Sequence, residues 1–234
     1  MIIGVVGLAV SAAGIAGQVL PRKFTAQQRQ QITAWETARR WRTMPAGKIF
    51  PASVSYQLPA YDLAADSKLP LVAYRVGIAP EASCAQGSDP AAARVLTAGR
   101  CSAMLRATYT DGTYSMLVTV GVAVMPSPAA AAAAARELAN GRGPSPGVRP
   151  AAFPDTLASA FGSGQRQLSW AVTAGPYLIL STAGYADGRP QVAVSSDPYA
   201  DDEMTSLADG IADAVAGPLG VQPPAPRCPG APGC

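Results

Sequence analysis

Two β-prone runs, residues 102–110 and 113–125, meet at Asp111-Gly112, and this junction constrains the fold more than any other stretch of the chain. Asp-Gly between such runs is a strong short-range signal for a β-hairpin. In the second run Tyr114, Met116, Val118, Val120, Val122 and Val124 occupy every second position. They therefore share one face of a strand, and that face is expected to be core.

The flanking segments supply partners for this hairpin. Val54–Leu58 and Leu71–Ala79 read as strands bounded by prolines, and residues 80–100 read as a loop rich in Ala, Ser, Gly and Pro. Pro126-Ser127-Pro128 stops the central strand, and Ala129–Asn140 reads as a helix ending at Asn140-Gly141. A short helix is expected around Asp155–Phe161. Residues 167–174 and 177–185 make a second hairpin through Gly175-Pro176, and Gln191–Val194 adds a further short strand. In Asp201–Ala216 the residues Met204, Leu207, Ile211 and Val215 recur at spacings of three and four, which marks an amphipathic helix. The sum is an α+β domain: an antiparallel sheet of about five or six strands packed with two or three helices.

The amino terminus adds a different kind of segment. Ile2–Leu20 is 19 consecutive residues without a charge, ended by Pro21, Arg22 and Lys23. At ~1.5 Å per residue it nearly matches a hydrocarbon core of ~30 Å, so it is expected to be a transmembrane helix. A cleaved signal peptide is the rival reading, but the basic stretch that normally precedes one is missing. Residues 24–42 read as a basic helix next to the membrane. Arg22, Lys23, Trp35, Arg39, Arg40 and Trp41 are the interfacial candidates, since Trp and Arg suit an anionic membrane surface. The alternative is a stalk helix whose Trp residues pack onto the domain. The organisation is thus an anchor over 1–21, a basic helix over 22–45, an α+β domain over 46–218 and a Pro/Gly-rich disordered tail over 219–234.

Orientation rests on two conflicting signals. The basic residues after the span would hold the domain in the cytoplasm under the positive-inside rule. The four cysteines argue for an oxidising exterior. Cys84 and Cys101 are 17 positions apart, and Cys228 and Cys234 close the chain in RCPGAPGC. Three connectivities are possible; the two local pairs, Cys84 with Cys101 and Cys228 with Cys234, are preferred. The balance favours a single-pass membrane protein with its domain outside the cytoplasm.

Composition excludes several functions. The chain has no histidine, which removes the Ser-His and Cys-His bases and the HExxH zinc helix. The net charge of +3, without a long Lys/Arg stripe, does not argue for nucleic acid. No SxxK, GxSxG, phosphate loop, dinucleotide loop or CxxC is present, so neither a cofactor nor a metal is implied. The acidic cluster Asp197, Asp201, Asp202 and Glu203 could in principle serve glycoside hydrolysis or a hard cation. Three of its four members open the last helix, where acids meet the positive end of the helix dipole. Asp111 and Asp187 each precede Gly in a turn.

The 47 alanines and 22 prolines, against one asparagine and three lysines, point to GC-rich coding. In layout, and in stretches such as ARRWRTMPAGKIFPASVSYQL, the chain resembles the membrane-anchored, exported envelope proteins of high-GC actinobacteria. The resemblance implies an address at the cell envelope and an envelope or membrane protein as partner. The expectation is a non-enzymatic interaction or accessory protein. A carboxylate-dependent hydrolase of wall polymers and a small-ligand sensor domain are the alternatives.

Overall fold

A computed structural model of the chain describes residues 24–58, 71–139, 143–192 and 198–221. Two units can be distinguished, residues 1–36 with 222–234, and residues 37–221. The 19-residue apolar stretch, Arg22 and Lys23, Cys228 and Cys234, Asn140-Gly141 and Asp197 lie outside the described residues. Among the described residues no helix is long and apolar enough to cross a membrane.

Among the described residues six strands form one antiparallel sheet: β1 (Ser53–Tyr56), β2 (Leu71–Ala82), β3 (Met104–Thr110), β4 (Met116–Val124), β5 (Arg166–Ala174) and β6 (Tyr177–Tyr185). Their order is β1-β2-β3-β4-β6-β5, so β4 and β6 run side by side and β5 forms an edge. The expected hairpins are both present, β3 with β4 and β5 with β6. Gly175 has φ +60 at the first central position of the two-residue β5–β6 turn, the position a type II′ turn reserves for glycine. Pro80 lies inside β2, where the register against β3 shifts between Ala79 and Ala82.

The helices are α1 (Ala26–Thr43), α2 (Ala46–Ile49), α3 (Cys84–Gly87), α4 (Pro90–Ala98), α5 (Pro128–Leu138) and α6 (Pro198–Gly220). Four readings need correction. Residues 80–100 are not a loop: Asp89 caps α4 by accepting from the Ala92 N–H, and Pro90 opens it where no amide partner is needed. Ser83 and Gln86 likewise form a capping box on α3. The segment 155–161 is a series of turns, not a helix, and residues 191 and 192 belong to no strand.

The fourth correction concerns Tyr114: expected on the core face of β4, it lies in the turn before that strand and is 62% exposed. Every residue of β4 is buried, so both faces of the sheet are covered. On one face Met116, Val118, Val120, Val122 and Val124 pack with Met204, Leu207, Ile211 and Val215 of α6 and with Trp41. On the other, Met104, Ala123, Leu178 and Leu180 pack with Ala92 and Leu96 of α4 and Ala131, Ala134 and Leu138 of α5. Small residues make room for this second layer. A Cβ at Gly121 would stand 2.7 Å from Val148 Cγ2. Beside it, Thr108 and Thr119 share a 2.8 Å hydrogen bond, and each also bonds the backbone of Ala151.

Cys84 and Cys101 form a disulfide across a separation of 17 residues. It fastens α3 to the start of β3 and encloses α4.

Candidate functional site

β5 is one of the two edge strands of the sheet, and it carries the half-exposed Trp170. The β5–β6 hairpin closes on the Ala174–Tyr177 pair around a two-residue turn. Alternate residues therefore face β6, and Ser169, Ala171 and Thr173 direct their main-chain groups outward. The Ser169 N–H donates to the Gly143 carbonyl at 3.0 Å. Among the described residues no strand pairs with Ala171 or Thr173.

Side chains on the even positions of β5 lean toward α6. Leu168 and Val172 join the core there, whereas Trp170 is 43% exposed. A cavity of about 360 Å³ opens beside it, lined by Leu138, Pro146, Leu168, Ser169, Trp170 and Thr205 among others. Thr205, Asp209 and Asp213 lie four residues apart and so follow one side of α6. Burial pushes the Asp209 carboxyl above the usual range, the Asp213 charge adds to this, and the Trp170 indole N–H opposes it. An exposed indole thus meets the Asp209 carboxylate, with Asp213 one helical turn further on, beside a strand edge that is unpaired among the described residues.

A connected network of hydrogen bonds underlies this region. Asp89 and Arg166 form a buried ion pair at 2.8 Å. Asp89 also accepts from the Ala92 and Gly147 amides, while Arg166 donates to Thr182 and Ser169. Ser169 in turn donates to the Pro144 carbonyl at 2.8 Å. The network binds α4, the loop at 143–147, β5 and β6 together. All its groups are occupied, which suits a scaffold rather than a reacting centre.

The acids considered for catalysis are placed as follows. Glu203 is half-buried on α6; burial and the charge of Asp111 raise its carboxyl. The same two acids help to hold the Tyr56 hydroxyl up at about 12, with burial the larger cause. Two carboxylates from separate elements are therefore close enough to sense each other. Asp111, however, is 1% exposed and accepts from the Thr113, Ser115 and Met116 amides and from the Thr113 and Ser115 hydroxyls. Burial alone would raise it, but these bonds outweigh burial and lower it. Its oxygens organise the β3–β4 turn and are closed to a substrate. Among the described residues no group of three metal-binding side chains occurs.

The interfacial candidates separate in the structure. Trp35 is 60% exposed, whereas Trp41 is buried in the core at 9%. Arg40 donates to the carbonyls of Pro218, Leu219 and Val221, so it caps the carboxyl end of α6. The grouping of Trp170 with Asp209 and Asp213 was not legible in the sequence, because the β5 edge and the α6 flank meet only in three dimensions. The one available signal was the four-residue spacing of Thr205, Asp209 and Asp213 along a helix whose other side is apolar. Comparison with protein-family models, with curated proteins and with solved structures finds no match to the chain.

Proposed function

We propose that this chain is a non-enzymatic binding domain that takes an extended segment of a partner along the β5 edge. It is held at a membrane by the 19-residue stretch and faces the cell envelope. The observation that carries the binding role is the exposed Trp170 standing between a strand edge that is unpaired among the described residues and a cavity of about 360 Å³. A strand added there gains main-chain hydrogen bonds from Ala171 and Thr173, and its alternate side chains gain pockets. The cystine between Cys84 and Cys101 supports an oxidising compartment.

The test is a titration of the full chain in detergent with blocked seven-residue peptides of alternating threonine and valine, varied in charge. The expected result is protection of the Ala171 and Thr173 amides and a shift of the Trp170 indole resonance. Ala171→Pro should abolish both. It removes an outward N–H that the β5–β6 ladder does not use, so the sheet itself should persist. Protection confined to another part of the molecule, or absent for every peptide, would refute the reading.

A further inference from the structure

We infer that the segment accepted at the β5 edge carries basic side chains at alternate positions, held by Trp170, Asp209 and Asp213. This rests on the edge-binding reading above and specifies the chemistry of its occupant. The argument begins with charge. Asp209 and Asp213 stand one helical turn apart, an arrangement that disfavours a helix because like charges repel at this spacing. The ion pairs among the described residues join Arg166 to Asp89 and Arg189 to Asp187, and neither α6 acid takes part in one. Two carboxylates without an ion-pair partner among the described residues, one of them held by the indole N–H of a half-exposed Trp170, are complementary to a lysine or arginine side chain. Such a cation gains both a charge-assisted hydrogen bond and a cation–π contact.

Geometry supports the alternation. Thr205 lines the same cavity as Leu168 and Trp170, in the first half and the middle of β5, and a Cβ on Gly220 would lie 3.4 Å from Ala174 Cβ at the end of the strand. Helix and strand therefore run in the same direction along each other. Four residues of helix rise ~6 Å. Two residues of strand rise ~6.6 Å. Basic residues at i and i+2 of an added strand, on the side facing α6, thus have a spacing close to that of Asp209 and Asp213. A single cation would match only one of the two negative charges, and consecutive basic residues would send the second to the opposite face.

The probes are three of the blocked seven-residue peptides, identical except that the two alternate positions facing α6 hold lysine, norleucine or glutamate. Norleucine keeps the lysine stem without its charge. The lysine peptide is expected to bind the full chain about ten-fold more tightly than the norleucine peptide, and the glutamate peptide more weakly than either. Its advantage should shrink as salt rises. Asp209→Asn with Asp213→Asn should bring the lysine peptide down to the norleucine level, and Asp209→Lys with Asp213→Lys should reverse the preference toward glutamate. Equal affinity for all three peptides, with the Ala171 and Thr173 amides still protected, would overturn the cationic occupant and leave edge binding standing. No protection by any peptide would sink both. Concentration-dependent dimerisation abolished by Ala171→Pro, without a peptide effect, would identify a second copy of the chain as the occupant and overturn the inference.

Discussion

Arg166 and Asp89 face each other at 2.8 Å, with almost no solvent contact on either side chain. The pair is a charge lock between α4 and β5. Removing one partner leaves the other charge buried alone, a loss of about 3–5 kcal/mol. Asp89→Asn and Arg166→Met should each destabilise on that scale in denaturant unfolding, and the double variant should lose less than the sum. Additive losses would show that the two charges are not coupled.

The same carboxylate sets an acid limit. Burial would raise Asp89, but the Ala92 amide and Arg166 outweigh it and lower it. Asp111 is lowered as well. A carboxyl lowered in the folded state stabilises above its unfolded value, about 3.9, and that contribution is lost as pH falls through the folded value. Glu203 and Asp209 are raised and act in the opposite sense, so their cost at neutral pH is relieved as they take up protons. Stability measured against pH should therefore peak on the mildly acidic side of neutrality and collapse below about pH 4. A maximum at alkaline pH would contradict these assignments.

The Cys84–Cys101 bridge closes a segment of 17 residues that contains α4. Such a loop contributes about 3 kcal/mol in the chain-entropy account. Cys84→Ala with Cys101→Ala should lower Tm by roughly 6–12 °C in a domain of this size. An unchanged Tm would mean that the α3–α4 layer holds without the bridge.

Tyr177 makes an unusual contact with α1. Its hydroxyl donates to the Thr37 carbonyl at 2.5 Å and accepts from the Trp41 N–H at 3.2 Å. Thr37 and Trp41 are four residues apart, so these are natural partners within a helix. Tyr177→Phe should consequently cost under about 1 kcal/mol, less than an ordinary buried hydrogen bond, because the two groups can turn to each other. Tyr177→Ala should cost about 3–5 kcal/mol through the cavity it leaves. A loss of several kcal/mol in the Phe variant would mean that the helix cannot close that bond.

The strands were legible because valines on alternate positions of β4 have no other physical explanation. Burial of the second face was not. Leu117, Thr119, Gly121 and Ala123 mix a threonine and a glycine with apolar residues and carry no clear pattern, and the helix that helps to cover them lies in an Ala-rich stretch between Pro90 and Gly99. Its start signal, Asp89 followed by Pro90, was present, but short Ala-rich runs between Pro and Gly resemble loops. The candidate site was harder still. Trp170 belongs to a strand and Asp209 to a helix nearly forty residues later, and no local pattern reports that they touch. Only the packing of α6 along β5 brings them together.

The β3–β4 turn also departs from expectation, and this leads to a stabilising substitution. The two-residue Asp-Gly turn is replaced by a longer one in which Thr110 pairs with Leu117. The positive φ of +60 falls on Tyr114, whose side chain is 62% exposed. Asp111 imposes this shape by gathering the Thr113, Ser115 and Met116 amides. A left-handed backbone costs an aromatic residue about 1–2 kcal/mol, and asparagine tolerates it better. The exposed ring contributes little to offset that strain. Tyr114→Asn should therefore stabilise the domain by up to about 1 kcal/mol, seen as a rise in Tm of roughly 2–4 °C. A fall in Tm would mean that the Tyr114 ring makes a contact worth more than the strain it carries.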